Sequence, residues 1–297
     1  MLKTIAAVLI ITASVMLWQQ WRYLRIRRNY AQDRQHQLHP GGVFHVIVFF
    51  KLKSGSRVID CARRYTQQVI SGSKARLIYA GQAAFTMPSE QLGDRQWDGV
   101  LLFEYRSRAA FEEVRNTTES KDARALFADS YLHGMRRNRK TSAAVPQYLL
   151  RRLMKLLLRG EWRVPPLEAS SQFETAPELE LWRSRVSRLR ALQKINREGL
   201  VVFNLVKYSN AGSRGTVESF GSRLIPRMAA LAYGPLHLGR SVALEEFARY
   251  DRVFVVYYPS AHYLAELISS QYFQNFIDSA LVSDTLWVPT VPITERL

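Results

Sequence analysis

The 297-residue chain carries one cysteine, Cys61. That excludes an internal disulfide framework and fits a reducing compartment. Metal-ligand spacing is missing too: His45, His133 and His262 form no H-x-x-x-H, and one cysteine cannot form C-x-x-C. The phosphate-cradling G-x-x-x-x-G-K, the dinucleotide-binding G-x-G-x-x-G and the nucleophile elbow G-x-S-x-G are all absent. What remains is 47% hydrophobic and 11% aromatic, enough for a packed core, and the length accommodates two domains of ordinary size.

Acidic residues are scarce in three segments, and that scarcity accounts for the net charge of +17. Residues 22–34 hold five arginines against one aspartate (+4). Residues 136–163 hold nine Lys or Arg against one Glu (+8), and residues 183–197 hold six against none (+6). The rest is close to neutral. Charge so localised points to an anionic surface, phospholipid or nucleic acid.

Charge is absent from "TIAAVLIITASVMLW", Thr4 to Trp18. Those 15 residues fall short of the ~20 that cross a bilayer, but Leu2, Trp21, Tyr23, Leu24 and Ile26 extend the apolar reach. Trp18, Trp21 and Tyr23 suit a headgroup belt. Arg22, Arg25, Arg27 and Arg28 follow at once, so the positive-inside rule places the bulk of the chain in the cytoplasm of a single-pass inner-membrane protein. A cleaved signal peptide would carry its charge on the other flank and be followed by an A-x-A-like site; a buried core helix is the other rival.

The sequence also repeats itself. "WDGVLLFEYRSRAAFEEV" (97–114) and "YDRVFVVYYPSAHYLAEL" (250–267) share an aromatic, Asp, an apolar run, Tyr, Ser and a helix-like stretch. Before the first lie "GVFHVIVFFKLKSG" (strand), "RVIDCARRYTQQVIS" (amphipathic helix facing inward with Val58, Ile59, Ala62, Tyr65, Val69 and Ile70) and "ARLIYAGQAAF" (strand). After it, "SKDARALFADSYL" extends the helical reading, and "TSAAVPQYL" is a weakly marked closing strand. The second copy runs "EGLVVFNLVKYSNAG", "TVESFGSRLIPRMAALA", "PLHLGRSVAL", "YDRVFVVYYP", "SAHYLAELISSQYFQNFIDSAL" and "TLWVPTVP" in the same order. Each copy reads β-α-β-β-α-β, the ferredoxin-like unit. Both alternating sets of "VFVVYY" are apolar, as in a strand covered on both faces. The expectation is an α+β chain whose two ferredoxin-like domains form an intrachain pseudo-dimer of stacked sheets.

"FNLVKY" at 203–208, the glycines Gly81 and Gly239, the W-D-x-V and Y-P-S centres and "SKDARALFADS" resemble the dimeric α/β-barrel superfamily. They are most similar to small bacterial members with an N-L-x-K-Y start, and the resemblance covers about residues 42–145 and 198–297. That superfamily includes haem-degrading and quinol-type monooxygenases, chlorite dismutase-like haem proteins, muconolactone isomerases and stress-responsive proteins, so it implies a fold and leaves the reaction open. The resemblance implies a first domain at 42–145 and a second at 198–297; the apolar start adds an anchor at 1–30 and the basic middle a helical insert at 146–197, neither of which belongs to the family pattern.

The copy that keeps the motif supplies the ligand-binding candidates: Asn204, Lys207, Tyr208, His237 and Tyr257. Asn204 both donates and accepts, and His237 could serve as base or ligand; the plainer reading is a strand-end amide and a solvated edge histidine. Asp98 and Asp251 read either as paired carboxylates or as strand-start turns, the turns being the stronger reading because the pair recurs with the fold. No cofactor is indicated by motif, and no one histidine is selected for a haem. Cys61 reads as packed rather than reactive.

In the insert, "QYLLRRLMKLLLRGEW" places Arg151, Arg152, Lys155 and Arg159 opposite a leucine face; it suits a membrane interface or docking on a sheet. "PELELWRSRVSRLRALQKINRE" reads as a second helix facing inward with Trp182, Val186, Leu189 and Leu192. RNA-recognition modules share the split βαβ topology, but neither "VLLFEYRS" nor "VFVVYYPS" fits their aromatic strand, so nucleic acid ranks low. Two functions follow as expectations. One is a membrane-anchored binder or transformer of a small apolar or aromatic molecule, monooxygenase-like, in the second domain. The other is a non-catalytic scaffold at the inner membrane surface. The partners are anionic lipid, a small-molecule ligand or a further copy of the chain.

Overall fold

The computed structural model describes residues 4, 6–14, 17–18, 21, 44–137, 167–195, 199–210, 235–258 and 260–297. The first half contains β1 (Phe44–Lys51), α1 (Val58–Gly72), β2 (Arg76–Ala83), β3 (Gly99–Tyr105), α2 (Arg108–Arg115), α3 (Thr118–Arg124) and β4 (Asp129–Arg137). A 3-10 turn, Pro177–Leu179, leads into α4 (Glu180–Ile195). The second half contains β5 (Leu200–Tyr208), β6 (Pro235–Ala243), β7 (Arg252–Tyr258), α5 (Ala261–Ile268), α6 (Gln271–Asp278) and β8 (Val282–Pro292).

All eight strands join in one closed antiparallel barrel, in the order β1-β3-β2-β8-β5-β7-β6-β4. Within each half the order is fourth, first, third, second. The halves meet at two seams, β2 on β8 and β4 on β6. The expected stacked sheets are therefore replaced by a single barrel. The reason is the edge strands: a stacked pair would leave four rows of unpaired backbone groups, and closure pairs them.

The alternating patterns divide cleanly between inside and outside. Val253, Val255 and Tyr257 of β7 face the barrel interior with Ile47, Phe49, Val100, Leu102, Val201, Phe203, Leu205, Leu286 and Val288. Outward, Phe44, Val46, Val48 and Phe50 pack against Cys61, Ala62, Tyr65 and Val69 of α1. On the second half, Val202, Val256 and Tyr258 pack against Val186 and Leu189 of α4 and Leu264 and Ile268 of α5. Each such side chain contributes about 1.5–3 kcal/mol by leaving water. The packed reading of Cys61 holds, as it is buried. Ile70 departs from the expected apolar face and is 43% exposed in the last turn of α1.

Two elements differ from the sequence reading. The stretch expected to continue as helix ends at Arg124, and "DSYLHGMRR" is the closing strand β4. Tyr131 and Met135 point into the interior cluster while Leu132 packs outside, a period of two that its polar and glycine residues conceal. The weak strand candidate "TSAAVPQYL" lies outside the described residues. The long last helix is broken at Ser270, whose hydroxyl accepts from the Phe273 amide and starts α6. The repeated serines cap both helices: Ser107 accepts from Ala110 N–H and Ser260 from Tyr263 N–H.

At the N-terminus, residues 4, 6–14, 17–18 and 21 are helical, and Val8, Leu9, Ile10, Ile11, Leu17, Trp18 and Trp21 are more than half exposed. Among the described residues no helix is long and apolar enough to cross a membrane. The spanning anchor is thus not supported. Arg22, Arg25, Arg27 and Arg28, the 147–162 helix with Arg151, Arg152, Lys155 and Arg159, and the "TVESFGSRLIPRMAALA" helix lie outside the described residues.

Gly81 and Gly239, the glycines shared by the two copies, sit at the two seams, in register with Pro292 and Arg137. A Cβ on Gly81 would stand 2.5 Å from the Tyr79 hydroxyl and 2.7 Å from Thr290 Cβ; on Gly239 it would stand 2.6 Å from the Arg136 carbonyl oxygen and overlap Met135. Gly81→Ala and Gly239→Ala are each expected to destabilise the protein by about 1–3 kcal/mol. Gly72→Ala meets only an ordinary contact, Glu119 Cβ at 3.9 Å, and should be neutral or slightly stabilising. Urea midpoints of the three variants test this, and equal midpoints would refute it.

Candidate functional site

The residues singled out by sequence do not come together. Asn204 is half-buried and faces outward, in register with Phe254 and Trp287, beneath the helical layer. Lys207 is exposed at the far end of β5, opposite Asp284. Tyr208 is half-buried there, its amide donating to Asp251 Oδ2 at 2.8 Å. Tyr257 faces the interior near the opposite end, in register with Val201. His237 holds its strand position against Val255, and its side chain lies outside the described residues.

The matched aspartates resolve as turns. Asp98 Oδ2 accepts from Leu52 N–H at 2.7 Å, just as Asp251 accepts from Tyr208 N–H. Each ties the end of its half's first strand to the start of the third. The recurrence is local backbone chemistry, with no pairing of carboxylates.

The interior instead holds polar groups that sequence reasoning missed, and they lie at the seams. At the β2–β8 seam the Tyr79 hydroxyl meets Thr290 Oγ1 at 2.7 Å. Thr290 Oγ1 donates to the Val201 carbonyl at 2.7 Å, so Tyr79 must be the donor in the first bond. At the β4–β6 seam, His133 Nδ1 meets the Tyr131 hydroxyl at 2.7 Å and His133 Nε2 meets Ser241 Oγ at 2.6 Å. Outside that seam, Arg124 donates to Glu245 Oε1 at 2.8 Å and Arg115 donates to the Leu244 carbonyl, bolting the first half's helices to the second half's β6–β7 loop. Burial pushes the Glu245 carboxyl above its usual range, against the lowering effect of Arg124.

A third set closes one barrel end. Ser89 donates to Asp284 Oδ2 at 2.9 Å and meets the Tyr250 hydroxyl at 2.7 Å. The amides of Glu90 and Gln91 also donate to Asp284. One carboxylate of β8 thus fixes the first half's long loop. At the other end His45 is fully buried with Nε2 3.5 Å from Glu104, which also accepts from Arg76 at 2.8 Å.

Ser241–His133–Tyr131 has the outline of a nucleophile with its base, but its electrostatics oppose that role. Burial pushes His133 down to about 3, so its neutral form is strongly favoured. A base needs affinity for the serine proton near working pH. Nδ1 faces a phenol, itself raised by burial, where a carboxylate would be needed to stabilise imidazolium. What the arrangement does well is join two strands in a low-dielectric interior.

The described histidines do not fit a haem either. Both ring nitrogens of His133 are engaged, His45 faces the filled interior beside Glu104, and His262 is an exposed helical residue whose Nε2 lies 3.2 Å from Glu266. Among the described residues no group of three or more His, Cys, Asp or Glu could hold a metal ion.

No protein-family model and no curated protein matches the sequence. Among solved structures the chain is similar to a Fusobacterium nucleatum protein proposed to be a monooxygenase: 11% identity, 86% of this chain and 94% of that one, TM-score 0.44. It is similar to a chlorite dismutase variant of Candidatus Nitrospira defluvii at 11% identity, covering 89% and 97%, TM-score 0.44. An anthrone oxidase-like protein gives 9% identity, 87% and 96% coverage and TM-score 0.43. Overlaps of this size leave the chemistry to be read from the chain itself.

The buried histidine has a pH consequence. Its folded pKa lies below the unfolded value of about 6.5, so its contribution is complete above pH 6.5 and is lost as pH falls toward 3. Between pH 7.5 and 4.5 this group should remove about 2–3 kcal/mol of stability. His133→Gln, which cannot titrate, should show a correspondingly shallower fall. Thermal unfolding of both proteins across that range is the check, and parallel curves would refute the assignment.

Proposed function

We propose that the chain is a non-catalytic scaffold: a rigid barrel held at the inner membrane surface by its N-terminal segment, with a partner-facing exterior. The observation that supports this is the filled interior. Phe49, Phe203, Tyr79, Tyr131, Trp97 and Met135 are at most 3% exposed, and they occupy the space in which a barrel would receive a ligand. Tyr79 bonds Thr290 across one seam and His133 bonds Ser241 across the other, with the Tyr131 hydroxyl of the same strand on its second nitrogen.

In this reading the tandem ferredoxin-like halves form an intrachain pseudo-dimer. The strand edges through which separate copies would pair are consumed inside one chain, so a further homo-oligomer would need another surface. The exposed apolar side chains of the N-terminal helix serve as the tether, and the protein resides in the inner membrane with its barrel in the cytoplasm.

One observation favours a second reading, a small apolar or aromatic ligand in the second half. Asn204 is a half-buried amide on an outer face otherwise lined by Val202, Val256 and Trp287. A monooxygenase-like reaction there would need that face to open a cavity.

Native mass spectrometry and the absorption spectrum of the detergent-purified protein separate the two. The scaffold predicts the mass of the chain alone, no visible band and an unchanged thermal midpoint with flavin, haem or quinone. A stoichiometric bound molecule whose retention is lost in Asn204→Ala would overturn it in favour of the second reading.

A further inference from the structure

The strand connections sort charge between the two ends of the barrel. Neighbouring strands alternate in direction, and β1 and β5 lie four positions apart, so they run the same way and start at one rim. β4 and β8, antiparallel to them, end at that rim. The N-terminal segment therefore reaches β1 at this rim. The segment after β4 leaves from it, and α4 delivers the chain to β5 there. These are the three segments carrying +4, +8 and +6. Described side chains continue the pattern: Arg106 after β3, Arg136 at the end of β4, and Arg190 and Lys194 in the last turns of α4 are exposed.

The opposite rim is weakly acidic on balance. Its described connections are β1–α1, β2–β3, α3–β4, β6–β7 and α6–β8. Residues 84–98, 244–251 and 278–284 each carry a net −2, against +2 on residues 52–57 and the exposed Lys51 and Lys207. The chain is thus polarised along the barrel axis, which its net charge alone does not reveal.

We propose that the rim bearing Arg106, Arg136, Arg190 and Lys194 lies against an anionic phospholipid bilayer, leaving the acidic rim toward the cytoplasm for a partner. This rests on the tethered reading given above and adds the orientation and the lipid class. Lipid is favoured over nucleic acid because the exposed apolar side chains Val8, Leu9, Ile10, Ile11, Leu17, Trp18 and Trp21 precede β1 in the chain, and β1 starts at this rim. An apolar segment followed by arginines combines insertion with attraction to headgroups, and two weak signals together give stable attachment.

The test uses the full chain with phosphatidylcholine vesicles, with and without roughly 30% phosphatidylserine. In a Cys61→Ala background, an environment-sensitive dye is placed on Ser71→Cys, exposed near the basic rim, or on Ser279→Cys, exposed at the acidic rim. The Ser71 dye should shift to shorter wavelength on phosphatidylserine vesicles, and the Ser279 dye should not. Combined Arg106→Glu, Arg136→Glu and Lys194→Glu should weaken partition on the order of tenfold on anionic vesicles and leave neutral ones unchanged. Attachment to both vesicle types with identical dye responses would overturn the orientation while keeping the tether. Failure to float with either would overturn both. Displacement from anionic vesicles by duplex DNA at equal phosphate would reassign the rim to nucleic acid.

Discussion

The structure depends on closing two seams. Each half has a second strand and a fourth strand at its edges, and neither edge can stay bare in water without inviting another chain. Pairing the second strand of one half with the fourth of the other satisfies both edges at once. The side chains at the crossing must then be small or absent. Gly81 and Gly239 meet that need, which is why they recur while many residues around them do not. The apolar interior follows from closure, because every inward side chain is shielded as soon as the ring is complete.

Much of this was legible because it is periodic or local. The doubly apolar pattern of β7 announced a strand covered on both sides, and the helix-like stretch after each repeated serine forms a helix. The paired aspartates were legible as turns for the same reason. β4 was misread because Tyr131, His133 and Met135 alternate among Ser, Gly and Arg, leaving no β-branched run. The seam network was out of reach for a different reason: His133 and Ser241 are 108 residues apart, and Tyr79 and Thr290 are 211 apart. Nothing local distinguishes such a histidine from a solvated one. The ligand candidates failed where two of them took opposite faces: Asn204 points out of the barrel and Tyr257 into it.

Buried polar pairs add little net stability when compared with apolar packing, since each group first loses water. Their effect here is on register. A slip of one residue at the β4–β6 seam would turn Ser241 away and leave Nε2 of His133 facing hydrocarbon. A slip at the other seam would strand the Tyr79 hydroxyl. The apolar side chains tolerate approximate neighbours, whereas these hydrogen bonds do not. The network therefore discriminates among closures that the hydrophobic core alone would rank closely.

Covalent linkage of the halves explains why the network is asymmetric. By seam register, Thr290 of one half corresponds to Met135 of the other, and His133 corresponds to Val288. Along the paired first and third strands, His45 corresponds to Val201 and Glu104 to Tyr257. In a dimer of identical chains every such group would appear twice, related by the barrel axis. Two buried His–Glu pairs would then share one end of the ring, each adding its desolvation cost and repelling its copy. A tandem chain can keep one polar pair and fill the opposing position with Val201 and Tyr257. The repeat preserved what closure requires, the glycines, caps and strand-start aspartates, and diverged where duplication would have placed like groups together in a low-dielectric core.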